Sequence, residues 1–243
     1  MTICFIDCSP FIEALIRENG IDVSDVTIHV GDPSAEDLAK VIGGARVVIN
    51  GHTVIDGPMM ERCPDLRSIV FLGTGAASYI DVAAAARLGV AVHTVKGYGD
   101  RSIAEHAFAL ALAAARNIPR MDRDLRVGIW NPLEGMELKS RTMGVIGAGG
   151  IGTEMAAIAR GFGMRVLLWN RTPRPELADI QTDLETLLGE SDIVSLHLSL
   201  SEETRGFLAA PQFALMKRGA ILVNTARGAI VNQADLLAAL ASG

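Results

Sequence analysis

The chain has 243 residues and a formal net charge of −6, from 22 Lys and Arg against 28 Asp and Glu. Apolar residues make up 49% and charged residues 21%, proportions of an ordinary globular protein that exclude a disordered chain. The sequence pI near 5.4, the absence of a basic cluster and an aromatic content of 5% argue against a nucleic-acid-binding protein.

The start of the chain and its three cysteines predict a cytoplasmic protein. Met1–Asp7 lacks the basic segment of a signal peptide. The longest apolar run, Ala107–Ala115, is far shorter than the ~20 residues of a membrane span, so no membrane association is expected. Cys4, Cys8 and Cys63 show no CxxC spacing, which favours packing in the core over a disulfide or a metal site.

In the first half, short β-branched runs alternate with helical patterns, an order that predicts a parallel sheet covered on both faces. The predicted strands are Ile3–Asp7, Val26–Val30, Arg46–Asn50, Ile69–Gly73 and Ala91–Val95. The predicted helices are Pro10–Asn19, Ser34–Ile42, Gly57–Arg62 and Asp81–Leu88, with Ser34 as an N-cap.

A long helix follows a Gly-rich crossing near Val95–Gly99, where we place a domain boundary. The helix, Arg101–Asn117, is rich in Ala and Leu, and this composition predicts burial on several sides. Pro119 is expected to end it, and the charged stretch Arg120–Arg126 follows without a predicted element.

A second alternating series starts at Thr142. Its predicted strands are Thr142–Gly147, Arg165–Asn170, Asp192–Leu198 and Ala220–Ala226. Its predicted helices are Gly150–Phe162, Leu184–Gly189, Pro211–Met216 and Gln233–Leu240.

A glycine-rich turn lies between the first strand and the first helix of this series. Gly147-Ala148-Gly149-Gly150-Ile151-Gly152 matches GxGxxG, the turn that binds a dinucleotide pyrophosphate when it joins a strand to a helix. Gly147 permits the tight turn, Gly149 lets the backbone approach the phosphates, and Gly152 lets helix and strand pack closely. The helix N-terminus offers N–H groups to the anion, so Gly147, Gly149, Gly150, Ile151 and Gly152 are predicted cofactor-binding residues.

The end of the next strand indicates which dinucleotide is bound. An NAD site places Asp or Glu there to bind the ribose 2′-OH, whereas this chain has Asn170-Arg171-Thr172. Arg171 can hold a 2′-phosphate bidentately and Thr172 adds a hydroxyl donor, which favours NADP(H). In the alternative, Asn170 binds the ribose and NAD(H) is usable.

Several stretches together resemble the D-isomer-specific 2-hydroxyacid dehydrogenases, which include glyoxylate and hydroxypyruvate reductases. The similar stretches are Ser102–His106 with Ala107–Asn117, Gly147–Gly152, His197–Gly206, Asn224–Val231, and Gly73–Gly75 with Ile80–Asp81. Ser199 stands where the family usually has Pro, and the loop Gly73–Asp81 is one residue longer than the common pattern.

The resemblance implies an α/β fold of two Rossmann-like, parallel-sheet domains. Residues 1–97 would form a flavodoxin-like substrate domain. Residues 98–243 would form a doubly wound nucleotide-binding domain that includes the interdomain helix 101–117, with a sheet incomplete at its C-terminal end. A homodimer is implied as well.

Arg227 is the predicted catalytic residue, since it follows a strand at the sheet edge where ligands bind and its guanidinium can polarise a substrate carbonyl. Gly73, Thr74 and Gly75 are expected to offer N–H groups to the substrate carboxylate, and His52 is a candidate substrate contact. The resemblance implies that Thr225 and Ala226 contact the cofactor, and His197 is expected to line its ribose. His106 is expected to be buried, and His29 and His93 to be structural.

The expected activity is hydride transfer between NADPH and a small 2-keto acid such as glyoxylate or hydroxypyruvate. The Glu and His that orient and supply the proton in this family have no counterpart before Gly243, only 16 residues after Arg227 (243 − 227), so a fragment of a longer protein is expected. The alternatives are an inactive truncated product, a nucleotide-sensing binding protein like the co-repressors that share this fold, and a related enzyme such as a formate or phosphite dehydrogenase, which shares the nucleotide-binding half.

Overall fold

A computed structural model describes residues 2–243. The chain divides into two compact units, the first ending at Lys96 and the second running from Gly97 to Gly243. All the strand pairings in both units are parallel, as the sequence predicts.

The first unit contains a five-stranded sheet in the order β2-β1-β3-β4-β5, which is the flavodoxin-like order. Its strands are β1 Ile3–Cys8, β2 Val26–Val30, β3 Val47–Asn50, β4 Ser68–Phe71 and β5 Ala91–Thr94. Its helices are α1 Pro10–Glu18, α2 Leu38–Ile42, α3 Gly57–Glu61 and α4 Val82–Leu88, with a short 3-10 helix at Ala76–Ser78.

The second unit contains a four-stranded sheet in the order β7-β6-β8-β9. Its strands are β6 Thr142–Ile146, β7 Arg165–Trp169, β8 Ile193–Leu196 and β9 Ile221–Asn224. Its helices are α5 Asp100–Ala115, α6 Ile118–Arg126, α7 Gly150–Gly161, α8 Leu184–Glu190, α9 Ala210–Leu215 and α10 Gln233–Ser242, with 3-10 helices at Pro175–Leu177 and Gly228–Ile230.

The central strands of both sheets are buried on both faces, as expected for sheets covered by helices. The three cysteines lie in the core of the first unit, as predicted, and burial raises the pKa of each thiol. These thiols therefore act as small apolar groups. Among residues 2–243, no helix is both long enough and apolar enough to cross a membrane.

The long helix differs from the prediction of burial on several sides. Its buried residues, Ala104, Ala107, Phe108, Ala111 and Ala115, follow a single helical stripe that packs against α7 and β9. The opposite face is open, and His106, expected to be buried, lies there. The small side chains of the stripe allow close approach of the two helices, whereas composition alone cannot say which face is covered.

Two further predictions about helices are wrong. The charged stretch after Pro119 is a helix, α6, because proline is tolerated in the first turn, where its missing N–H has no intrahelical partner. The second helix of the first unit begins at Leu38 and not at Ser34. The hydroxyl of Ser34 accepts the Asp37 N–H at 3.1 Å and stabilises a turn that precedes the helix.

Candidate dinucleotide-binding site

The glycine-rich turn leaves the carboxyl end of β6, between β7 and β8, where the strand order of the second sheet reverses. Gly147 has φ = 108°, and a Cβ there would lie 2.6 Å from the carbonyl oxygen of His197. A Cβ on Gly152 would lie 1.9 Å from the carbonyl oxygen of Gly147. Both positions therefore require glycine, and the turn lies at the topological switch point where such sheets bind ligands.

The N-terminus of α7 faces an open cradle. Its N-cap, Gly149, makes no side-chain capping hydrogen bond, and a Cβ built there meets nothing within 4 Å. The first N–H groups of a helix have no intrahelical acceptor, and the helix dipole adds partial positive charge at this end. A pyrophosphate fits this chemistry.

Asp100 is a site residue that the sequence analysis missed. A Cβ on Gly150 would lie 1.7 Å from Oδ2 of Asp100, so this carboxylate lies directly against the first turn of α7. An acid at a helix N-terminus is favourable in the absence of another anion. Only the packing of α5 on α7 brings Asp100 there, and no local pattern marks it.

Asn170 and Arg174 hold the turn in place from the end of β7. The side-chain oxygen of Asn170 accepts the Ala148 N–H at 3.0 Å, and its amide donates to the Thr172 carbonyl at 2.7 Å. A guanidinium nitrogen of Arg174 donates to the Ala148 carbonyl at 3.0 Å. Both polar groups of the Ala148 peptide are thus fixed by side chains from the neighbouring strand end.

Beside the turn lies a cavity of about 640 Å³, within the size range of small-molecule sites. Of the predicted cofactor-binding residues, it is lined by Gly147, Gly149, Asn170, Arg171, Thr172 and His197, whereas Gly150, Ile151, Gly152, Thr225 and Ala226 are not in its wall. The lining also includes Glu203, whose carboxylate forms an ion pair with the Arg171 guanidinium. No local pattern in the sequence marks Glu203 as a site residue, because it lies 32 residues from Arg171 along the chain.

His197 lies in the wall of this cavity, and its backbone N–H donates to the Ile146 carbonyl at 2.8 Å. Its Nε2 shares a hydrogen bond of 2.9 Å with the buried hydroxyl of Ser195. Burial lowers the pKa of His197 from 6.5 to about 4. The imidazole is therefore neutral near pH 7, and it lines the cavity as an uncharged polar group.

Arg227 follows β9 by three residues, in extended conformation at the start of a short 3-10 helix. Its guanidinium donates to the Ala226 carbonyl at 2.9 Å, and its own carbonyl accepts from the Asn224 amide at 3.0 Å. Nearby, the hydroxyl oxygen of Thr225 is buried and has no hydrogen-bond partner within residues 2–243. Such an atom fits a polar group that arrives with a ligand.

In the first unit, the turn after β4 offers fewer N–H groups than predicted. The N–H of Gly73 already donates to the Phe71 carbonyl at 2.8 Å, so it is not available for a substrate carboxylate. Thr74 and Gly75 are exposed, and within the described chain their N–H groups have no protein acceptor. Asp81 has a structural role, since it caps α4 by accepting the Ala84 N–H at 2.8 Å.

His52 lies on a loop fixed by a buried carboxylate. Asp7 is 2% exposed and accepts the N–H groups of Gly51, His52 and Thr53 at 2.7–2.8 Å. The exposed His52 ring is 2.7 Å from a carboxylate oxygen of Asp32 and 3.7 Å from one of Asp7. Over residues 2–243, no group of three or more His, Cys, Asp or Glu side chains is placed to hold a metal ion.

Comparison with known protein families identifies the second unit. Residues 108–243 match the model for "D-isomer specific 2-hydroxyacid dehydrogenase, NAD binding domain". The chain is 36% identical to a D-3-phosphoglycerate dehydrogenase of Archaeoglobus fulgidus over 94% of its own length, but it spans 44% of that protein. It is 35% identical to a glyoxylate reductase of Thermococcus litoralis, covering 96% of this chain and 76% of the relative.

A solved structure of similar fold is that of an acyclic imino acid reductase in complex with NADPH and D-Arg. The TM-score is 0.87 at 30% identity, and the match covers all of this chain and 80% of the other.

Proposed function

Since this chain belongs to the D-isomer-specific 2-hydroxyacid dehydrogenases, we propose that it transfers a hydride between a nicotinamide dinucleotide and a small 2-keto or 2-hydroxy acid, such as glyoxylate or hydroxypyruvate. The observation that carries the proposal is the GxGxxG turn, which opens onto an uncapped helix beside a cavity of about 640 Å³. The bound nicotinamide would supply the hydride.

The protein's own groups would bind the dinucleotide along this turn. The N-terminal N–H groups of α7 would hold the pyrophosphate, with Gly149 allowing its approach. Arg171 and Thr172 would hold a 2′-phosphate, and this is the basis for proposing NADP(H) as the preferred cofactor, with NAD(H) also accepted. The unpartnered Thr225 hydroxyl and Ala226 are assigned to the same cofactor.

In this proposal Arg227 would bind the substrate carboxylate and polarise the substrate carbonyl. A guanidinium donates in a planar fork that matches both oxygens, and its charge stabilises the developing alkoxide. Within the first unit, the N–H groups of Thr74 and Gly75 and the ring of His52 are the proposed substrate contacts.

No described histidine is assigned as the proton donor. His197 is neutral near pH 7 because its pKa is about 4, and it would line the cofactor ribose. His106 lies on the open face of α5, and His52 is already held by Asp32.

The test is NADPH oxidation by the chain with glyoxylate or hydroxypyruvate, compared with the Arg227→Ala variant. We expect the variant to lose at least about a hundredfold in kcat/KM, a typical effect of removing a group that stabilises transition-state charge. Arg165→Ala is the matched control, because Arg165 starts β7 at the opposite edge of the sheet and pairs with Glu190. Equal rates in Arg227→Ala and wild type would refute the assignment, and tight cofactor binding without turnover by a full-length protein would favour the nucleotide-sensing alternative.

We also propose a cytoplasmic homodimer that binds no nucleic acid. The open face of α5, which includes the exposed Leu110, is compatible with a partner surface. Sedimentation of the purified protein at several concentrations distinguishes dimer from monomer.

A further inference from the structure

The ribose end of the cavity contains a carboxylate at the position where the strand end itself has none. Asn170 follows β7 where an NAD-binding chain carries Asp or Glu. Glu203 reaches the same place from the loop after β8 and pairs with Arg171. The two side chains are 74% and 72% exposed, so a ligand can reach the pair.

The position of Glu203 is set by structure around it. The hydroxyl of Thr204 accepts the Ser201 N–H at 2.8 Å and donates to the Ser199 carbonyl at 2.7 Å, which closes the loop into a tight turn. Phe207 packs on Trp169 with ring centroids 5.1 Å apart, so the loop is attached to the end of β7. The contact between Glu203 and Arg171 therefore joins two anchored segments.

The ion pair has opposite consequences for the two dinucleotides. A 2′-phosphate carries nearly two negative charges at pH 7, so it must compete with Glu203 for Arg171 and is repelled by the carboxylate. The 2′-hydroxyl of NAD(H) is neutral and can donate a hydrogen bond to a carboxylate. One side chain thus weakens the binding of NADP(H) and supports that of NAD(H).

We infer that Glu203 is a specificity-determining residue, which occupies Arg171 and supplies from the β8 loop the ribose-binding carboxylate that the end of β7 lacks. This inference rests on the proposed dinucleotide function and refines it. Glu203 reduces the preference for NADP(H) that Arg171 confers, so that both cofactors are accepted.

The test is the Glu203→Gln variant, which keeps the side-chain length and removes the charge. We expect NADPH affinity to rise about tenfold, from loss of an exposed ion pair and of the repulsion, while NADH affinity is unchanged or falls. Glu202→Gln is the matched control, because Glu202 is the adjacent acid, 92% exposed and 3.9 Å from Arg205. In the Arg171→Ala background, the gain from Glu203→Gln should shrink, since only the repulsion remains to be removed.

Adenosine 2′,5′-bisphosphate and adenosine 5′-monophosphate serve as probes that need no hydride transfer. A gain for the bisphosphate alone in Glu203→Gln supports the inference even if wild type shows no turnover, an outcome that would count against the proposed activity only. Equal affinities in wild type and Glu203→Gln, the same gain in Glu202→Gln, or no binding of either probe to any variant would overturn it.

Discussion

The two units differ most at the carboxyl end of the strand where their sheets reverse order. In the first unit this is β1, and its last residues place Asp7 against the loop after β3, whose N–H groups at Gly51, His52 and Thr53 bind the buried carboxylate. In the second unit it is β6, followed by glycines, and no acid comes from the strand itself.

The helices that follow these strands differ in the same way. The N-cap of α1 is Ser9, whose hydroxyl accepts the Ile12 N–H at 3.2 Å, with Pro10 in the first turn. The N-cap of α7 is Gly149, which makes no side-chain cap. In both units, the carboxyl end of the strand at which the sheet reverses order lies beside N–H groups that can bind an anion, and we call this place the corner of the unit. The local side chains determine which anion binds there. In the first unit the buried carboxylate of Asp7 binds there, whereas in the second the glycine turn has no acid of its own, and Asp100 of α5 lies against the first turn of α7 beside an open cavity.

The largest expected effect is a loss of stability when the close packing of the glycine-rich turn after β6 is disturbed. Gly152→Ala places a methyl 1.9 Å from the Gly147 carbonyl oxygen, a contact that only backbone movement can relieve, so we expect a loss of about 3–5 kcal/mol in unfolding free energy. Gly161→Ala in the same helix meets nothing within 4 Å and should be neutral or stabilising by up to about 1 kcal/mol.

Denaturant unfolding followed by tryptophan fluorescence measures both variants, because both tryptophans, Trp130 and Trp169, belong to the second unit. Equal stabilities of the Gly152 and Gly161 variants would contradict the packing described for the turn.

The first corner is tested by Asp7→Asn. An amide would direct N–H groups at donors that now bind a charged carboxylate, so we expect a loss of about 2–4 kcal/mol in the first unit. Hydrogen exchange of the β1 and β3 amides measures this loss. Asp32→Asn, at the exposed partner of His52, should change stability by less than about 0.5 kcal/mol. Similar exchange in the two variants would show that the buried carboxylate is not what holds this loop.

A third prediction concerns the neutral histidine of the second corner. Because the pKa of His197 is about 4 in the folded state and 6.5 otherwise, unfolding takes up a proton between these values. Its contribution to stability is complete above pH 6.5 and is lost as the pH falls toward 4, by up to about 3 kcal/mol. His197→Asn should flatten this part of a plot of unfolding free energy against pH, and an unchanged slope would assign the proton to another group.

The smallest change is the addition of a methyl to the open cradle. Gly149→Ala has space and an ordinary φ of −74°, so stability should stay within about 0.5 kcal/mol of wild type. NADPH affinity should fall about tenfold, because the methyl lies in the path of the pyrophosphate. Titration calorimetry gives the affinity, and unimpaired binding would mean that the phosphates do not approach Gly149.

The sequence by itself was sufficient for the pattern of alternating strands and helices and for the dinucleotide turn. Both are local signals: β-branched runs bounded by turns mark the strands, and GxGxxG between a strand and a helix sets the backbone geometry within six residues. Short-range patterns do not say which face of a helix is covered, and α5 and His106 were accordingly mispredicted. The helix after Pro119 was missed because a charged stretch that follows a proline is equally typical of an exposed loop and of the start of an exposed helix.

Only the tertiary structure decided which distant groups surround the turn. Asp100, Glu203 and the Asn170 contact to Ala148 come from separate segments, and strand order and helix packing bring them together. The same is true of Asp7 on the loop after β3. Electrostatic contacts act through space and leave no periodic trace in the sequence, whereas glycine and β-branched residues act on their own backbone and can be recognised where they stand.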